Sequence, residues 1–371
     1  MHCIAVINNT IVVSKGSFID CYINDKHNVI NLQDSTGAEE YVCDITISND
    51  SKYIAILTSA KNLIVYELPG LKLYKSFVLP RSASKIRFGA ENTHLFVADK
   101  TGDVLFYDII SDEGGTKLLG HLSLLLNVLQ SKDGNYLISS DRDEKIRVSS
   151  YPNTYNIQTY CLGHKEFVNH IEFLPHDDKY LISASGDGSI KCWDFIKGHL
   201  SCTIETKLDI SDQTLQMEFK KTMDENGIEV DSLPIVHLSA TKLNESTSLI
   251  AVTVHSLNSI LIYSLETTEC KVNYKLVDKI VLNYFPACIQ FYNMTLFVFD
   301  SSTSILAEFE VLYENDKVTI NMLKTITMFD EKETATVIKN DFEYIKVLFK
   351  RKFDNVQEYQ ERKKNRIEKS S

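Results

Sequence analysis

Hydrophobic and polar positions alternate along most of the chain in short runs, and the runs return at a regular interval. An apolar run, a brief polar turn and a second apolar run form TIVVSKGSFIDCYI from Thr10, KYIAILTSAKNLIVYEL from Lys52 and THLFVADKTGDVLFYDI from Thr93. The unit returns as NYLISSDRDEKIRVSSY from Asn135, KYLISASGDGSIKCWDF from Lys179, TSLIAVTVHSLNSILIYSL from Thr247 and TLFVFDSSTSILAEFEVL from Thr295. The first four steps are about 42 residues, the next is 68 and the last is 48. Alternation of period two, bounded by turn residues, predicts half-buried strands. Flanking segments such as VNHIEFLP and HLSCTIE bring each unit to four strands.

Four strands per period of about 42 residues, seven times over, predicts an all-β, seven-bladed β-propeller in which each blade buries its faces against its neighbours. Residues 1–330 are expected to form this single ring. Residues 206–234, TKLDISDQTLQMEFKKTMDENGIEVDSLP, exceed what a blade needs and are expected to be an insertion loop. Helical patterning is expected only in residues 331–371, a C-terminal extension ending in a short basic helix.

The fifth unit carries the WD40 signature: Gly163-His164 before it, Asp187 in its turn and Trp193-Asp194 at its end. His164 is expected to bond Asp187 on one side and Ser183 on the other, with Ser183 reaching the Trp193 indole, a network that satisfies buried polar groups and locks the blade. In the fourth unit Gly120-His121, Ser139 and Asp143 repeat three of the four members, but Ser149 stands where the tryptophan would be. The fold by itself says little about activity.

Composition narrows the class. The chain has 371 residues, 44% hydrophobic and 24% charged, enough for a substantial core. No apolar run approaches the roughly 18 residues that cross a membrane, and MHCIAVINNTIVV reads as no secretory leader. The eight cysteines are scattered with no CxxC pair, which suits buried thiols in an intracellular, reducing compartment rather than disulfides or a metal site. Phosphate-loop, dinucleotide, zinc-protease and nucleophile-elbow motifs are absent from the sequence. The histidines lack metal-ligand spacing, and His121 and His164 are absorbed by their blades. A propeller hydrolase would need unexplained polar residues around the central channel, and the spacing reveals none.

Charge is uneven. Net charge is −11, against a protein that simply coats nucleic acid. From Lys346 onward, however, nine basic residues face four acidic ones, leaving the remainder at −16. Within the acidic body the fourth unit fills its turn with Asp141, Arg142, Asp143, Glu144 and Lys145, with Arg147 on the next strand. Such a turn is either a solvated hairpin tip or a docking patch on one rim of the ring. In the tail, Asn355 and Glu358 have the spacing of a capping box, and Glu358–Arg362 and Glu361–Lys364 the spacing of helical ion pairs. Lys363, Lys364 and Arg366 there suit phosphate contact, or a merely solubilising end.

The segment GHLSLLLNVLQSKDGNYLISSDRDEKIRVSSY, with CLGHKEFVNHIEFLP, SASGDGSIKCWDF and the tail KFDNVQEYQERKK, resembles the WD-repeat, non-catalytic subunit of the eukaryotic tRNA (guanine-N7-)-methyltransferase. The resemblance is carried by residues 118–193 and the tail. It implies a scaffold with no catalytic residue, metal or cofactor of its own. A catalytic partner in a heterodimer would bind S-adenosylmethionine and methylate a guanine in the tRNA variable loop, and no membrane would be involved. It implies a partner-facing turn led by Arg147, with Asp143, Glu144, Lys145 and Arg142 next and Glu166 from the neighbouring loop. It implies a nuclear address. The alternative is a generic WD40 adaptor, such as a ubiquitin-ligase substrate receptor. Such receptors carry Arg two residues after the WD dipeptide, where Trp193-Asp194 is followed by Phe195 and Ile196.

Overall fold

The computed structural model describes residues 2–32, 40–111, 114–268, 271–329 and 341–350. The described residues form seven antiparallel four-stranded sheets, each from four consecutive strands, so no strand is exchanged to close the ring. The blades occupy residues 2–31, 42–78, 83–120, 125–161, 168–205, 235–281 and 288–327. Each repeat recognised in the sequence supplies the second and third strands of a blade.

Burial explains the pattern. Second strands such as Tyr53–Thr58 and Tyr136–Asp141 are buried almost throughout because neighbouring blades cover both of their faces. Outermost strands such as Lys26–Asn31 and Lys72–Val78 are largely exposed. The ring closes through side chains: Gln290 Oε1 accepts from Val6 N at 3.1 Å, and Lys15 Nζ donates to Ser304 Oγ at 2.8 Å. Val6, Val13, Phe297 and Phe299 pack across the same seam.

The insertion differs from the expected loop. It contains helix α1, Gln213–Glu225. Asp212 caps it, accepting from Leu215 N at 3.0 Å. Leu215, Phe219 and Met223, four residues apart, form one stripe packed into the largest core cluster. A stripe of three apolar residues, with Met217 exposed on another face, is a weak signal, and burial against the ring is what holds the helix. A second helix, α2 (Asp341–Lys346), lies in the C-terminal extension. The proposed helix beyond Asn355, with Lys363, Lys364 and Arg366, lies outside the described residues.

The central channel, about 530 Å³, overturns another expectation. Asp44, Lys85, Arg87, His170, Glu172 and His237 line it. Lys85 Nζ is 2.7 Å and Arg87 Nη1 3.3 Å from the Asp44 carboxylate. Burial pushes the Glu172 carboxyl up to about 7 against the opposing charge of Arg87, and pushes the His237 imidazole down to about 4. These residues come from the innermost strands of different blades, so no spacing along the chain brings them together.

Candidate partner-docking rim

Blade five shows how a turn is held on this rim. His164 Nδ1 lies 3.0 Å from Asp187 Oδ2, and His164 Nε2 lies 2.8 Å from Ser183 Oγ. The Trp193 indole N–H donates to Ser183 Oγ at 2.8 Å, with Trp193 fully buried. Burial alone would raise the Asp187 carboxyl, but hydrogen bonding and charge from His164, with donors from Ser189 and Lys165, hold it well below the usual carboxylate range.

Blade four builds the same link with a different aspartate. His121 Nδ1 meets Asp141 Oδ2 at 2.8 Å and His121 Nε2 meets Ser139 Oγ at 2.7 Å. Asp141 Oδ1 also accepts from the backbone N–H groups of Asp143 and Lys145 at 2.9 and 3.0 Å. Asp141, at the end of its strand, does the work that Ser185 and Asp187 share in blade five. Asp143 is therefore not the network member the sequence suggested, and its carboxylate is released to the surface.

Arg147 is also placed differently from expectation. It faces the interior, 8% exposed, opposite Ser139 on the neighbouring strand. Its Nε donates to Ser149 Oγ at 2.9 Å, Nη1 to Gly120 O at 3.1 Å and Nη2 to Thr154 O at 2.8 Å. Without a tryptophan at Ser149, the guanidinium bonds what would otherwise be orphaned oxygens. In the free chain Arg147 is thus bonded into blade four, not laid open on the rim.

Arg142, Asp143, Glu144 and Lys145 remain at the surface or half-buried. Glu144 sits at φ +69°, where blade five has Gly188 at +75°; a left-handed conformation is costly for a side chain with a Cβ. The Arg142 N–H donates to Leu124 O, joining the turn to the loop that holds the fully exposed Leu122. Across the next inter-blade loop, Leu162 is 61% exposed and Glu166 half-buried. Burial pushes the Glu166 carboxyl up to about 7, with Lys350 opposing. Arg142 Nε and Glu166 Oε2 are buried atoms with no hydrogen-bond partner among the described residues.

The C-terminal extension reaches this turn. Lys350 Nζ forms an ion pair with Glu144 and lies 3.8 Å from Asp143 Oδ1. Phe349 meets the Phe167 ring at 5.0 Å in a T-shaped contact. The sequence reading missed Leu122 and Lys350, and placed Asp141 in the charged turn without its role as partner of His121. Only Asp141 left a signal, a second aspartate two residues before the expected one.

A family model described as the WD40 domain of the tRNA methyltransferase TRM82 matches residues 112–298. A relative named tRNA (guanine-N(7)-)-methyltransferase non-catalytic subunit wuho, from Culex quinquefasciatus, is 32% identical over 336 residues, 88% of this chain and 76% of its own length. The protein of the same name from Drosophila pseudoobscura pseudoobscura is 31% identical over 349 residues, 91% of this chain and 81% of its own. The chain belongs to the WD-repeat, non-catalytic subunits of tRNA (guanine-N7-)-methyltransferase.

A solved chain from the crystal structure of the mitotic checkpoint complex has a TM-score of 0.64, covering 81% of this chain and 87% of its own at 12% identity, which speaks to the fold alone. The matched region of this non-catalytic subunit contains blades four and five, with both histidine networks and the charged turn of blade four.

Proposed function

We propose that the chain binds and stabilises the catalytic tRNA (guanine-N7-)-methyltransferase subunit as a heterodimer, docking through the rim of blades four and five. Arg142, Asp143, Glu144, Lys145 and Glu166 form the charged part of the dock, and the exposed Leu122 and Leu162 its apolar part. The observation that carries the reading is a charged turn that keeps Glu144 in a left-handed conformation on the rim, flanked by the exposed Leu122 and Leu162. An interface that uses the Glu144 side chain would offset the strain.

The second role is to hold tRNA while the partner, which carries S-adenosylmethionine, forms N7-methylguanosine in the variable loop. A propeller body at −16 repels phosphate, so attraction has to come from the partner and from the basic tail through Lys363, Lys364 and Arg366. The same acidic body attracts a basic partner face and speeds encounter. Nuclear residence follows from the same reading, with KRK and ERKKNR as its basic clusters.

The test mixes purified chain, catalytic subunit, tRNA and labelled S-adenosylmethionine. Methyl transfer should need both proteins. Glu144→Lys and Leu122→Asp should each abolish co-purification and activity while leaving the melting temperature of the isolated chain within a few degrees of wild type. Normal association by both variants would remove this rim as the dock.

A further inference from the structure

Blade five holds two cysteines opposite each other. Cys192 lies on its third strand, Ser189–Asp194, and Cys202 on its outermost strand, His199–Glu205. The strands are antiparallel and pair Cys192 directly with Cys202, two residues beyond the pair Ile190–Ile204. Residues directly opposite in such a ladder project from the same face with Cα atoms about 4.5–5.5 Å apart, inside the range that a disulfide spans. That face looks onto blade six. Cys192 is buried in the cluster that holds Ile190, Ile204 and Tyr263, and Cys202 packs on the cluster while keeping part of its surface exposed. Ser201 Oγ, accepting from Val272 N at 3.2 Å, ties the outer strand to the same seam.

The two thiols differ in acidity. Burial pushes the thiols of Cys3, Cys21, Cys43, Cys161 and Cys288 up, which leaves them unreactive. Cys202 goes the other way. Hydrogen bonding from the Cys192 thiol, helped by the Cys192 backbone N–H and the charge of Lys191, draws it down against burial. Cys192 is raised in turn, as the member of the pair that keeps its proton. A partly exposed, acidic thiol beside a protonated one is the division of labour between an attacking and a resolving cysteine. Either cysteine alone would be apolar filler; the register is what lets them bond.

We propose that Cys192 and Cys202 form a reversible oxidation site whose substrate class is a hydroperoxide. The Cys202 thiolate attacks one peroxide oxygen, the O–O bond breaks, and the departing oxyanion takes a proton from water, leaving a sulfenic acid on Cys202. The Cys192 sulfur then attacks the Cys202 sulfur. The S–S bond closes as the S–O bond breaks, and the hydroxyl leaves as water with the Cys192 proton. The peroxide gains the two electrons that the pair of thiols loses. A small-molecule thiol reverses the reaction by exchange and is itself left as a disulfide.

The experiment treats the reduced full-length chain with hydrogen peroxide and follows it by mass spectrometry. The intact chain should lose about 2 Da, peptide mapping should place the link between Cys192 and Cys202, and dithiothreitol should reverse it. With dimedone present, Cys192→Ser should trap the sulfenic acid on Cys202, and Cys202→Ser should leave Cys192 unmodified. Iodoacetamide at pH 7 should alkylate Cys202 about tenfold faster than any of the raised thiols. The wild-type mapping decides the bond by itself, since Cys192→Ser places a hydroxyl in the core. Oxidation that leaves Cys192 and Cys202 as thiols would overturn the proposal. So would a link from either to another cysteine, or alkylation of Cys202 no faster than the rest.

Discussion

Arg147 donates through Nε to Ser149 Oγ at 2.9 Å, two residues along the same strand. Ser149 faces Leu137 on the neighbouring strand as Trp193 faces Leu181 in blade five. The guanidinium and the serine together occupy a slot that the next blade fills with an indole. A charged residue is tolerable there because each of the three donor groups named above has an oxygen acceptor.

Arg147→Ala should therefore destabilise the isolated chain by about 2–4 kcal/mol, since it leaves the Gly120 and Thr154 carbonyls without their donor and opens a void. Arg147→Lys should recover only part, because one ammonium cannot span three divergent acceptors. Urea unfolding of the chain without its partner reads this directly. Unchanged stability of the alanine variant would return Arg147 to the rim as a contact residue.

The turn between the same strands predicts an opposite trade. Glu144→Gly relieves a left-handed glutamate at φ +69° and should stabilise the isolated chain by about 0.5–1 kcal/mol. The Lys350 ion pair it removes is solvent-exposed enough to contribute little. Partner affinity should fall at the same time, because the side chain offered to the dock is gone. Calorimetry of the free chain, beside titration with the catalytic subunit, separates the two effects. A variant that is less stable and binds normally would refute the assignment of strain to docking.

Acid should loosen the ring before most carboxylates titrate. Burial holds His2, His237 and His255 at about 4 and His170 well below its ordinary value. For each, the unfolded chain binds more protons between about 4 and 6.5, so stability is lost as pH falls through that window. Glu166 and Glu172, pushed up to about 7 by burial, act in the opposite sense between about 4.5 and 7. Burial also lowers His176, so five groups oppose two, and the net expectation is a lower urea midpoint at pH 4.5 than at pH 6.5. His237→Gln should shrink that difference and Glu172→Gln should enlarge it. A midpoint that rises on acidification would show that the histidines are not held neutral.

What can be read from the chain by itself is what local geometry dictates. Strand periodicity and turn residues within each unit identify seven blades, because a period-two pattern has one way to bury its apolar face. His164, Ser183, Asp187 and Trp193 lie within 30 residues of one another, and a single blade brings their side chains into hydrogen-bond contact. Residues whose fate depends on a neighbour's volume were not readable. Arg147 is interior because Ser149 leaves room, and Asp141 displaces Asp143 because its strand-end position lets one carboxylate reach both His121 and the turn. Contacts between distant segments carry no pattern along the sequence at all. Lys350 meets Glu144 across 206 residues, and Phe219 of α1 meets Phe349 across 130, so the contacts of the C-terminal extension exist only once the ring has closed beneath it.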